Sequence, residues 1–176
     1  MPSVNSVVEP EFNGLLSEDI GVYAARLRNS RADCEDSRAM LQHVERAADE
    51  LGSAQADVIA FACTASSFVA GDAGETQLRQ RIEQAGRTRA LTTSGAVAAA
   101  LHVLQVRRLV VATPYPDELN ALEKHYLEAA GFEVLEISGM GIVEAFEIGT
   151  LTPQQTAAFA RDAWRPGAEA LFISCT

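Results

Sequence analysis

Ala56-Asp57-Val58-Ile59-Ala60-Phe61-Ala62-Cys63-Thr64 is echoed near the end of the chain by Ala168-Glu169-Ala170-Leu171-Phe172-Ile173-Ser174-Cys175-Thr176. Each copy reads as a helix exit, an acidic residue, a buried strand and then Cys-Thr. The copies stand roughly 110 residues apart, and open parallel sheets place their ligands at the carboxyl ends of strands. The repeat therefore predicts two related α/β halves, each delivering a Cys-Thr to the position where a site would form.

Outward from this pair, apolar runs alternate with amphipathic stretches, the pattern of a parallel sheet covered by helices. Strands are expected near residues 20–27, 58–62, 89–91, 109–112, 134–137 and 170–174. Helical spacing covers residues 34–51, 75–85, 94–104, 117–130 and 153–164. Gly52, Gly86 and Gly131 sit where C-terminal caps belong, and Ser94 and Asp117 where N-caps belong. With no Pro/Ser linker in the chain, the two lobes are expected at residues 1–106, with Cys63, and 107–176, with Cys175. Residues 1–5 read like the loop after a first strand, and no helix follows Thr176, so a fragment truncated at its C-terminus is expected.

Composition narrows the function classes. The chain has 176 residues, 48% of them hydrophobic, enough to bury a sizeable core. Its formal net charge is -10 and its basic residues are scattered, which removes the electrostatic footprint of a nucleic-acid binder. No charged and apolar leader opens the sequence, and no apolar run approaches the roughly 20 residues of a membrane span, so a cytoplasmic protein is expected. Cys34, Cys63 and Cys175 lack CxxC or Cys/His spacing, which argues for free thiols over disulfides or zinc. His43, His102 and His125 fall on separate helical stretches without metal-ligand spacing, so packing roles are expected. There is no GxGxxG after a strand and no GxxxxGKS/T, and Ser138-Gly139-Met140-Gly141 reads as a glycine-containing loop.

A cysteine at a strand's carboxyl end, followed by a helix, sits near backbone N–H groups that favour the thiolate. Cys63, followed by Thr64-Ala65-Ser66-Ser67, fits that description. A single free cysteine is more often a small buried hydrophobe; the echo at Cys175 tips the balance towards catalysis. Thr64 and Thr176 would set a hydroxyl and an N–H beside each thiol, ready for a carboxylate or an enolate oxygen, or would simply cap helices. Tyr115, in Thr113-Pro114-Tyr115-Pro116, offers a phenolic donor on a rigid turn after the 109–112 strand, or packs. Thr93 and Ser94 open a helix with a hydroxyl-bearing terminus suited to an anion, although Ser94 as an ordinary N-cap explains it equally well. Asn5, in the opening loop, could offer its amide to a carboxylate.

Four segments carry a family resemblance: Pro2-Ser3-Val4-Asn5-Ser6-Val7-Val8-Glu9, Ala62-Cys63-Thr64, Val111-Ala112-Thr113-Pro114-Tyr115 and Ile173-Ser174-Cys175-Thr176. Over nearly its whole length the chain resembles the aspartate/glutamate/hydantoin racemase superfamily, in the branch of maleate cis-trans isomerases and arylmalonate decarboxylases. The resemblance implies two pseudo-symmetric flavodoxin-like lobes with parallel sheets, a site between the lobes, a homo-oligomer, and no metal or organic cofactor. It further implies that Cys63 adds as a thiolate to the double bond of a small dicarboxylate, that Cys175 gives and recovers a proton, and that Asn5 and Tyr115 hold carboxylates. Racemases of the superfamily use the same two cysteines as acid and base on opposite faces. Arylmalonate decarboxylases keep only the second cysteine and have glycine at the first. A carboxylate-binding protein without activity is the non-enzymatic alternative. One departure stands out: the isomerases carry an asparagine in the segment that here reads Ile142-Val143-Glu144-Ala145-Phe146-Glu147-Ile148-Gly149, which has none.

Overall fold

The computed structural model describes residues 1–71 and 73–175. In chain order the elements are α1 (Val8–Leu15), α2 (Cys34–Leu41), α3 (Val44–Ser53), β1 (Val58–Phe61), α4 (Thr64–Phe68), α5 (Gly74–Gly86) and β2 (Arg89–Thr92). They continue with α6 (Thr93–Val103), β3 (Arg108–Thr113), α7 (Asp117–Ala129), β4 (Glu133–Gly139), α8 (Ala145–Ile148), α9 (Pro153–Ala163) and β5 (Ala170–Ile173). All strand pairing in the sheets is parallel: β1 lies against β2, and the second sheet has the order β4-β3-β5. The result is the two-lobe α/β fold that the repeated Cys-Thr motif predicts.

Strand β3 shows why the second sheet forms. Leu109, Val110, Val111, Ala112 and Thr113 are all buried, as expected of a central parallel strand with both faces covered. Because side chains alternate along a strand, Leu109 and Val111 join Leu127, Phe132 and Val134 on one face, while Val110 and Ala112 meet Ala160 and Ala163 on the other. Each such valine or leucine contributes about 1.5–3 kcal/mol by leaving water. In the first lobe only alternate residues of β1 are buried, Ile59 and Phe61, so its strand is half-covered where the sequence suggests a buried one. Helix α7 serves two core clusters: Leu119 and the preceding Tyr115 join the first, and Leu127 joins the second.

The expected strand at 20–27 does not form. Leu27 alone makes a parallel bridge, to Pro2, and the rest of that stretch has no ladder to satisfy its backbone. The helix expected over 34–51 is two, α2 and α3, separated where the N–H groups of Gln42 and His43 turn back three residues to Ala39 and Met40. Thr92, not Ser94, caps α6, accepting from the Gly95 N–H at 3.1 Å, and Pro116 occupies the cap position expected for Asp117. Helices α1, α4 and α8 are unannounced by periodicity because they run for only 8, 5 and 4 residues.

Gly131 ends α7 in the left-handed conformation as expected, with φ 95°. Gly52 and Gly86 do something else, and the left-handed turns after their helices fall on Gln55 and Arg87. A Cβ on Gly52 would stand 2.4 Å from the backbone oxygen of Gly86, so the two glycines let α3 and α5 touch backbone to backbone. Gly52→Ala is therefore expected to destabilise the fold by about 1–3 kcal/mol in urea unfolding, the range for forced overpacking. Gly14→Ala, where nothing lies within 4 Å, is expected to be neutral or stabilising.

Candidate active site

Four strands deliver side chains to one cavity of about 930 Å³. Cys63 follows β1, Thr93 follows β2, Tyr115 follows β3 and Cys175 follows β5, and all four line it together with Asn5 and Thr64. Ser94 does not line it: its hydroxyl is buried against Ser67 Oγ at 2.5 Å and the Thr64 carbonyl at 3.3 Å. Thr176 lies outside the described residues. Cys34 is buried elsewhere at the start of α2, where burial, and then Glu118 beside it, push its thiol up to about 11. Among the described residues no cluster of His, Cys, Asp and Glu could hold a metal ion. No helix among them is long and apolar enough to cross a membrane.

The donors around the cavity are held in distinct ways. Asn5 Oδ1 accepts from the N–H groups of Val7 and Val8, both at 2.9 Å, which opens α1 and leaves the Nδ2 donor without a described protein partner. Thr93 Oγ1 donates to the Phe61 carbonyl at 3.1 Å, so its proton is committed to the frame of the site. Tyr115 is almost wholly buried, and its hydroxyl makes no well-formed hydrogen bond although it stands next to the Cys175 thiol.

Tyr115 owes its placement to a polar brace that sequence reading misses. Asn120 accepts from Thr113 Oγ1 at 2.5 Å and donates to the Tyr115 carbonyl at 3.3 Å. The loop after β4 completes the brace, with Met140, Gly141 and Ile142 donating their N–H groups to Thr113, Tyr115 and Pro114. Gly139 is required there, since a Cβ would lie 2.3 Å from the Tyr115 oxygen. The segment from 142 to 149 then runs along the cavity, contributing Ala145, Ile148 and Gly149 to its wall.

The two thiols have unlike surroundings. Burial pushes the Cys63 thiol above its ordinary range, but the Ser66 hydroxyl, 3.4 Å from the sulfur, and the N–H groups of Ser66 and Ala65 pull it back. Burial pushes Cys175 up to about 12; Tyr115 opposes this, while Cys63 and Glu123 add to it. Cys175 also has a left-handed backbone, φ 55°, which costs a side-chain-bearing residue about 1–2 kcal/mol. Ser174 anchors the turn from both ends: its N–H reaches the Ala112 carbonyl at 2.9 Å and its hydroxyl reaches Glu123 at 2.7 Å. Nothing in the sequence singles out Ser66, Asn120, Glu123 or Ser174 as a site residue, since each looks like an ordinary helix or strand residue.

The family model described as arylmalonate decarboxylase matches residues 1–176. The maleate isomerase of Nocardia farcinica is 30% identical over 184 residues, covering 99% of this chain and 73% of that protein. A structure of the Nocardia farcinica maleate cis-trans isomerase with a covalently bound succinylcysteine intermediate superposes with TM-score 0.89 at 27% identity, covering 97% of this chain and 73% of the other. The maleate isomerase Iso of Pseudomonas putida S16, bound to maleate, shares the fold with TM-score 0.92 at 22% identity, covering 97% and 73%. The chain belongs to the arylmalonate decarboxylase family, in the branch that also holds maleate isomerases.

Asn120→Ala is expected to cost about 1–3 kcal/mol in urea unfolding, because it strands two buried partners on the Tyr115 turn. Glu123 carries a pH signature. Burial, against the pull of Ser174, lifts its carboxyl to about 7 from 4.5. A raised acid favours the folded state only while neutral, so this contribution is complete below about pH 4.5 and is lost as pH rises through about 7. The loss is on the order of 3 kcal/mol, and denaturant unfolding from pH 4 to 8 is expected to show it in the parent but not in Glu123→Gln.

Proposed function

We propose that the protein is a cofactor-independent isomerase of a small dicarboxylate, of the maleate cis-trans type, with its substrate between a first lobe at 1–106 and a second at 107–176. The observation that carries this reading is the pair of thiols on one cavity with opposite electrostatic support. Cys63 has donors that stabilise a thiolate, whereas burial, with Cys63 and Glu123 adding to it against the pull of Tyr115, keeps the proton on Cys175. One is suited to attack and the other to protonate. The succinylcysteine intermediate in the Nocardia farcinica enzyme supports the same chemistry.

The reaction runs as addition, rotation and elimination. The Cys63 thiolate forms a C–S bond to one olefinic carbon, and the π electron pair moves to the neighbouring carbon and its carboxylate. The Cys175 thiol protonates that carbon, giving a succinyl thioether whose central C–C bond is single and free to turn. After rotation the Cys175 thiolate recovers a proton from the same carbon, the double bond reforms, and the C–S electron pair returns to Cys63. Asn5 Nδ2 and the Tyr115 hydroxyl, both without a fixed partner, are placed to hold carboxylate oxygens through these steps. Simple decarboxylation needs only the second cysteine, so Cys63 and its stabilising shell favour isomerisation.

Proton NMR of the purified protein with maleate is expected to show fumarate accumulating, and both Cys63→Ser and Cys175→Ser are expected to lower kcat at least about 1000-fold while leaving the fold intact. Incubating Cys175→Ser with maleate is expected to leave a succinyl adduct on the Cys63 peptide by mass spectrometry. Absence of both fumarate and the adduct, with racemisation of an amino acid instead, would establish the acid-base use of the two thiols.

A further inference from the structure

Among the described residues Glu123 is the only fully buried charged side chain, and the reaction above leaves it unused. One oxygen accepts from Ser174, and the other has no hydrogen-bond partner. A neutral amide would satisfy Ser174 equally well, so what a carboxylate adds is charge, at the expense of removing it from water. That charge acts on Tyr115 and Cys175.

Among the described residues no lysine or arginine pairs with this carboxyl. On α7 itself Lys124 pairs with Glu128 at 3.8 Å, and His125 also sits on this helix. Helix α4 offers only Thr64, Ala65, Ser66, Ser67 and Phe68, and β5 only Ala170, Leu171, Phe172 and Ile173. Strand β3 has its one charge, Arg108, paired with Glu169 at the opposite end. On β4, Glu133 is exposed and Glu136 faces Arg165 at 3.7 Å. Among the described residues the ionisable groups that feel the charge of this carboxyl are Tyr115 and Cys175.

We propose that Glu123 is a positioning residue for Cys175: through Ser174 it fixes the strained turn that carries the thiol, and its negative charge keeps that thiol protonated until the substrate carbon takes the proton. The proposal rests on Cys175 being the proton donor of the reading above. It gives the site a division of labour in which one sulfur is relieved of its proton by hydrogen-bond donors and the other is held to its proton by a buried anion.

Iodoacetamide labelling of Cys175, followed by peptide-resolved mass spectrometry from about pH 6 to about pH 9, tests it without any turnover. The full chain carries Cys63→Ser, so that only one active-site thiol titrates. Adding Glu123→Gln is expected to speed labelling of Cys175 roughly three- to tenfold at pH 8, as for a thiol pKa lowered by up to one unit. Adding Ser174→Ala, which frees the turn but keeps the charge, is expected not to speed it. The Cys63→Ser protein itself is expected to show a flattened climb of log rate near pH 7, where Glu123 ionises, and this arm decides the matter if Glu123→Gln does not fold. Equal acceleration by both variants, no change with Glu123→Gln, or a constant unit slope through pH 7 would each overturn the proposal. Labelling that behaves as expected, when the parent protein with both cysteines fails to isomerise maleate, would instead overturn the proton-donor reading alone.

Discussion

The burial of β3 on both faces is the constraint on which the site depends. With Leu109 to Thr113 excluded from water, the strand must find hydrogen-bonding partners on both sides, and β4 and β5 are held in register against it. The Tyr115 turn leaves its end, the β4 loop closes over that turn, and β5 runs beside it to Cys175. Ser174 binds Ala112 of the same strand, so the second thiol is located by the core of its lobe and not by a loop. In the first lobe Cys63 is located similarly by β1 and by the short helix that follows it.

How much of this is legible in the sequence depends on the range of each signal. The paired Cys-Thr turns are visible because each is a contiguous motif at the end of an apolar run, and the two copies reinforce one another. Glu123 is invisible because its partner, Ser174, lies 51 positions away, and on its own helix it reads as one more acidic residue. Gly52 and Gly86 illustrate a misreading of another kind: a glycine near a helix end signals conformational freedom, but here it is absence of bulk that matters. The stretch at 20–27 has strand-like residues and no neighbouring ladder, and pairing is a property no single segment carries.

Electrostatics separates two residues that are chemically identical. Both thiols are largely withdrawn from water into the cavity wall, which alone would make both poor nucleophiles. Around Cys63 the chain supplies a hydroxyl and two amide N–H groups, and around Cys175 it sets a carboxyl and a second sulfur against the Tyr115 hydroxyl. A small number of neighbours thus gives two members of a repeated motif different electrostatic surroundings, and the repeat itself is neutral about which is which.

Helix α7 puts Leu119 into one core cluster and Leu127 into the other, so it acts as a strut between them. Closing or widening the gap between the sulfurs would require that strut to bend or slide, at the expense of both cores at once. Walls tied to two cores in this way resist displacement, and the cavity between them keeps one shape.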